Sequence, residues 1–196
     1  MRGMPAILLA IVAGCTLLWQ ATDGLSALTT EQARRQSIAT EPRALPDVQL
    51  FDQQGESLRL ADYAGQRVVV DFIYTRCPTV CRSLGSTFQQ LKRLLPDDVK
   101  LLSISFDHAF DSSRVLAEYA RWQRADGPQW RFARVADPAE LEALLETFGI
   151  VVIADGFGGY QHNAAIHVLN EQGQLARVLD YDEPADSLAA QILQPL

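Results

Sequence analysis

From residue 46 onward the chain alternates short apolar runs with polar breaks, and each run has a readable period. Residues 48–51 (VQLF) and 57–60 (SLRL) flank a polar stretch containing Gly55, the pattern of a β-hairpin. Residues 67–74 (RVVVDFIY) form a nearly continuous β-branched and aromatic run, as expected for a strand covered on both faces. Behind it, Cys77, Cys81, Leu84, Phe88, Leu91 and Leu95 recur at helical spacing until Pro96. Residues 100–107 (KLLSISFD) read as a second buried strand. Ser112 and Ser113 offer caps to a helix carrying Val115, Tyr119 and Trp122. Residues 131–136 (RFARVA) read as a third strand. A helix follows over 137–149, with Asp137 as its cap, Pro138 at its first position, Glu140 completing a capping box and Gly149 ending it. Residues 162–169 and 174–179 read as two strands joined by a turn through Gly173, and 185–193 as a short terminal helix.

The order is therefore hairpin, β, α, β, α, β, α, β, β, α. Strand–helix alternation implies a parallel sheet with helices on both faces, and the closing pair adds antiparallel strands. The expected class is α/β: a thioredoxin-like three-layer fold with an N-terminal β-hairpin and a βα insertion, over residues 46–196. Residues 21–45 are polar, lack a sustained apolar stripe and read as a tether.

Residues 1–20 form a different segment. Residues 5–19 are apolar apart from Thr16, with Arg2 ahead of them. That length is short for a membrane span and long for a signal core. One reading is an uncleaved anchor helix, with Trp19 at the membrane interface. Another is a lipoprotein signal, because residues 12–15 (VAGC) match a lipobox whose Cys15 would be acylated. A removed signal peptide is the third. The anchor and lipoprotein readings both put the domain on the outer side of a membrane. The formal net charge of −7 makes the chain a poor binder of nucleic acid, whose phosphates call for Lys and Arg.

Of the three cysteines, only Cys77 and Cys81 fall in the domain. A disulfide between residues four apart closes a small loop and constrains little of the unfolded chain, so chemistry explains the pair better than reinforcement. The pair sits where a buried strand gives way to a helix. Pro78 suits a first helical turn, and the unpaired N–H groups there favour a thiolate at Cys77. Four residues make about one helical turn, so both sulfurs can face one way. Two adjacent thiolates suit a soft cation, above all Cu(I), and also suit a redox couple.

Three histidines compete as a further donor. In a thioredoxin-like sheet the strand opening at residue 162 runs antiparallel to the one before the cysteines, so His162 begins beside the motif. His167 is five residues on, about 16 Å further at roughly 3.3 Å per residue, beyond a metal bond. His108 follows the strand 100–107, at the same sheet edge, and is a rival. Redox thioredoxins carry a cis-proline ahead of the closing strand. Here no proline lies between Pro138 and Pro184, and Gln161, His162 or Asn163 occupies that place. Asp71, in a buried strand, reads as salt-bridged or placed near the site.

The stretches FIYTRCPTVC, SISFD and HNAAIHVLNEQGQL together resemble the Sco/SenC family over most of residues 45–196. The paired-cysteine motif is Cys77-Pro78-Thr79-Val80-Cys81, His162 matches the family's distal histidine, and His167 falls where the family often has an aromatic. The resemblance implies a membrane-tethered domain holding one copper ion, Cu(I) or Cu(II), through Cys77, Cys81 and His162. It implies delivery of that copper to cytochrome c oxidase, with subunit II as recipient, from the periplasmic side of a bacterial inner membrane. The alternative is a thiol–disulfide oxidoreductase in which Cys77 attacks and Cys81 resolves, acting on the cysteines of a copper protein. Two departures stand out. His108 replaces the proline of the family's Asp-Pro-x-x-Asp-Thr segment, although Asp107 and Asp111 match, and Thr79 stands where relatives often have an acid. Gly156, Gly158 and Gly159 ahead of His162 read either as a source of mobility or as ordinary turn residues.

Overall fold

The apolar run after Arg67 forms strand β3 (Val68–Ile73), and all six of its residues are buried. The computed structural model describes residues 4–21, 29–77, 80–125 and 127–196. β3 lies inside a seven-stranded sheet. On one side it pairs in parallel with β4 (Lys100–Ser105), which pairs in parallel with β5 (Trp130–Val135). Beyond β5 comes the expected hairpin, β1 (Gln49–Asp52) and β2 (Ser57–Arg59), with β1 antiparallel to β5. On its other side β3 pairs antiparallel with β8 (Ile166–Leu169), which pairs with β9 (Leu175–Leu179).

Aromatic contacts fix the helical layers. On one face, Phe88 of α3 (Val80–Leu94) packs on Trp130, with ring centroids 5.7 Å apart. Tyr119 of α4 (Ser113–Trp122) packs on Phe132 at 5.6 Å, and α6 (Ala185–Leu193) lies against α3. Arg67 and Arg177 donate to carbonyls at the end of α6, where orphan acceptors and the helix dipole favour cations. On the other face, Phe148 of α5 (Pro138–Phe148) meets Phe72 edge-on at 5.0 Å. Asp137 caps α5 by accepting from the Ala139 N–H, and Gly149 ends it at φ 69°. The expected capping box does not form. Glu140 instead accepts from the Gln49 N–H at 3.4 Å, tying α5 to the first strand.

Two stretches of chain fold differently from their apolar pattern. Residues 21–45 contain helix α2 (Thr30–Thr40), started by a Thr29/Gln32 capping box and docked on β9. Ile38 is fully buried, Arg34 donates to the Phe148 carbonyl at 3.0 Å, and Arg35 pairs with Asp180 at 2.6 Å. Its apolar side is one isoleucine plus arginine stems, too thin a stripe to register as amphipathic. The expected strand 162–169 is also two pieces. The sheet strand begins at Ile166, and His162 belongs to a separate ribbon of β6 (Val152–Ala154) and β7 (Tyr160–His162). At the N-terminus, α1 (Met4–Ala21) is 18 residues long, about 27 Å at 1.5 Å per residue. Among the described residues no helix is long and apolar enough to cross a membrane. Cys15 is exposed on α1.

Two buried titratable groups lie on opposite faces of the sheet. His167 packs edge-on between Phe72 and Phe148, at 5.9 and 5.1 Å, and takes the part of an aromatic ring. Burial first, and the Arg34 guanidinium second, hold it down to about 3. Asp71 faces Ser103 across the β3–β4 pairing, and among the described residues it forms no ion pair, contrary to the salt-bridge reading. Burial pushes its carboxyl up to about 7 against opposing hydrogen bonds from Ser103 and backbone.

These two groups act on stability with opposite signs. Unfolded, His167 takes a proton below about 6.5 that the folded chain refuses, so its contribution is full above that pH and is lost on acidification toward 3. Folded, Asp71 keeps a proton up to about 7 that the unfolded chain releases above 3.8, so its contribution is present at low pH and lost as pH rises. Relative to the parent, Asp71→Asn should gain stability with rising pH, and His167→Phe should lose it, each by up to about 1.4 kcal/mol per pH unit. Urea unfolding at pH 4.5, 5.5 and 6.5 measures both, and slopes of the same sign would reject the assignment.

Candidate metal centre

Because β3 and β4 are parallel, their carboxyl ends open on one edge of the sheet, the usual place for a site in such sheets. The Phe106 N–H donates to the Ile73 carbonyl at 3.0 Å and holds the two ends together. From β3 the chain turns through Tyr74, Thr75 and Arg76 to Cys77, whose N–H donates to the Tyr74 carbonyl at 3.2 Å. Cys77 is half-buried against the core, ahead of a helix described from Val80, so it precedes α3 rather than lying on its stripe. Leu84, Phe88 and Leu91 do form the buried stripe. Pro78, Thr79 and the Cys81 side chain lie outside the described residues; the Cys81 backbone is in the first turn of α3.

The turn is held from the loop after β4. Asp111, fully buried, accepts from the Thr75 N–H at 3.0 Å and from the hydroxyls of Thr75 and Ser105, both at 2.5 Å. Burial pushes its carboxyl up, against the hydrogen bonds from Ser105 and Thr75. Asp107, also buried, pairs with Arg76 at 2.7 Å, and the Arg76 guanidinium lies 4.2 Å from the Phe110 ring centroid. Two carboxylates thus grip the two residues that precede Cys77.

His162 reaches the same edge from the β6–β7 ribbon. Its ring packs 5.0 Å from Phe106 and 6.2 Å from Tyr74, centroid to centroid. Tyr74 therefore touches both parts, through its carbonyl to Cys77 and its ring to His162. The Nδ1 of His162 lies 2.9 Å from the Asn163 carbonyl. A carbonyl only accepts, so this contact calls for a proton on Nδ1, and in that tautomer Nε2 is the nitrogen suited to a metal. His108 is exposed in the turn after β4, and His167, on β8, is buried facing the α5 side of the sheet. Among the described residues, which leave out the Cys81 side chain, no three His, Cys, Asp or Glu side chains form a metal-sized group.

The ribbon is a tight hairpin. Asp155 accepts from the N–H groups of Phe157 and Gly159, and the turn runs through Gly156 and Gly158 at φ 77° and 90°. Those two glycines supply a left-handed backbone, the turn role rather than mobility.

The model of the SCO1/SenC family matches residues 37–196. The chain belongs to that family. A SCO1 protein homolog from Bacillus subtilis (strain 168) is 25% identical over 136 residues, 67% of this chain and 69% of that protein. Among solved structures, Bradyrhizobium japonicum ScoI with copper bound aligns at TM-score 0.65 and 22% identity, covering 76% of this chain and 98% of that one. BsSco, described as a member of the Sco family of cytochrome c oxidase assembly proteins and as holding a disulfide switch, aligns at TM-score 0.65 and 21% identity, covering 78% and 92%. At these identities the alignments establish a shared SCO1/SenC fold.

Position along the chain places Cys77 and His162 at one edge but assigns no role to Tyr74, Tyr160 or the carboxylates. Asp107 and Asp111 carried a signal, as the two acids that match the family segment following β4. Asp111→Ala leaves three donors unsatisfied and should cost about 2–4 kcal/mol in urea unfolding, against about 1 kcal/mol for Thr75→Val. Equal costs would contradict the picture of one carboxylate gathering the edge.

Proposed function

We propose that this chain carries copper as cargo, one ion held by the thiolates of Cys77 and Cys81 and the imidazole of His162. The observation that carries the reading is that the half-buried Cys77, through its N–H, and the ring of His162 both meet Tyr74 at one sheet edge. Two thiolates and one neutral imidazole form a soft donor set suited to Cu(I), and few donors leave the ion open to ligand exchange with a recipient. The copper-bound ScoI structure and the oxidase-assembly description of BsSco support carrying this to cytochrome c oxidase, with subunit II as recipient. The apolar α1 supports attachment to a bacterial inner membrane with the domain in the periplasm, as a helix or through acylated Cys15.

A second reading has one observation in its favour: BsSco is described as holding a disulfide switch. In it the Cys77 thiolate attacks a partner disulfide, Cys81 resolves the mixed disulfide, and the chain leaves oxidised while the partner leaves reduced.

The test is anaerobic titration of the full chain in detergent with Cu(I) against a chromophoric chelator. One equivalent should bind. Cys77→Ser and Cys81→Ser should abolish tight binding. His162→Ala should weaken it by at least about 100-fold, the upper end of what outer-shell changes cost, and His108→Ala should leave it unchanged. Unaltered affinity in His162→Ala would remove the three-donor reading. Turnover of a protein disulfide that ignores His162 would favour the second.

A further inference from the structure

We propose that Tyr74 is the positioning residue that latches the histidine-bearing ribbon onto the cysteine edge, an inference that rests on the copper reading above. The ribbon of β6 and β7 shares no backbone pairing with the seven-stranded sheet. At its root Asn163 ties it to the body, accepting from the Val151 N–H at 2.7 Å and donating to the Gly149 carbonyl at 2.8 Å. Its outer side gives little apolar hold: Val151 and Ile153 are exposed, and Phe157 at the tip is 97% exposed.

What closes the ribbon is the Tyr74 hydroxyl. It donates to the Tyr160 carbonyl at 3.1 Å and accepts from the Tyr160 N–H at 3.3 Å, so one hydroxyl satisfies both backbone groups of the residue two before His162. The Tyr160 ring stands edge-on to Tyr74 and to Phe106, at 5.3 and 5.6 Å, and its own hydroxyl reaches Asp107 at 3.4 Å. The fit is close. A Cβ placed on Gly159 would come 3.5 Å from the Tyr74 hydroxyl, and one on Gly158 would come 3.9 Å from Arg76. Tyr74 is itself buried and fixed by its place at the end of β3. It therefore sets where the imidazole sits relative to Cys77 without being a donor to the ion.

Tyr74→Phe keeps the ring and removes the latch. In the full chain its Cu(I) affinity should fall by about tenfold, the scale of an outer-shell loss. In the His162→Ala background the same change should cost nothing more, because it acts through the histidine. Hydrogen exchange of the metal-free protein gives a second readout. The Tyr160 amide should exchange about five to ten times faster in Tyr74→Phe, as expected when one hydrogen bond holding a local opening is lost. Parental affinity in Tyr74→Phe, or an equal loss with and without His162, overturns the inference, as does an unchanged Tyr160 exchange rate. If His162→Ala alone leaves affinity unchanged, the three-donor reading fails instead, and the exchange rates alone decide the latch.

Discussion

Two buried carboxylates after β4 govern the functional edge. Asp111 gathers the backbone and hydroxyl of Thr75 with the hydroxyl of Ser105, and Asp107 holds Arg76. A carboxylate removed from water is costly unless it is well hydrogen-bonded, so each of these acids enforces the geometry of its donors. The turn before Cys77 is thus specified from a neighbouring loop. Asp107 also receives the Tyr160 hydroxyl, so the same loop that steadies the cysteine side touches the ribbon that carries His162.

The two sides are built differently. Cys77 is part of the body, downstream of a strand buried along its whole length. His162 sits on an added ribbon, rooted by Asn163 and packed through aromatic rings. Under the proposed reading this asymmetry suits a cargo protein. A rigid sulfur side retains the ion, while the imidazole side belongs to the element with the lower cost of opening, as ligand-binding segments commonly do.

Most of the fold was legible because its signals were physical necessities. A strand buried on both faces must be apolar throughout, and β3 is, apart from Asp71. A helix needs its first N–H groups satisfied, and Asp137 and Ser112 announced α5 and α4. What was lost lay where those necessities are weak. Helix α2 buries a single isoleucine and gains its hold through Arg34 and Arg35, which no apolar period records. The β6–β7 ribbon has three-residue strands and glycine-rich polar surroundings, too short a pattern to mark strands, so the apolar period attaches His162 to the strand that follows. At the site, donor residues could be proposed from residue type and position. Their supports could not, because Tyr74, Tyr160 and Asp107 meet only through the tertiary fold. His167 was separable by distance alone, and its aromatic role by the rings on either side of it.

Helix α2 has a consequence for reach. It is docked on β9, so the domain proper starts at Thr29 rather than near residue 46. Only eight residues separate the end of α1 at Ala21 from the start of α2 at Thr30. Fully stretched, eight residues extend about 28 Å. If α1 lies in a bilayer, one of the two attachments proposed, the domain is held on a short leash near the lipid surface. Under that reading the tether favours recipients that present their acceptor groups near the membrane over those that hold them far from it.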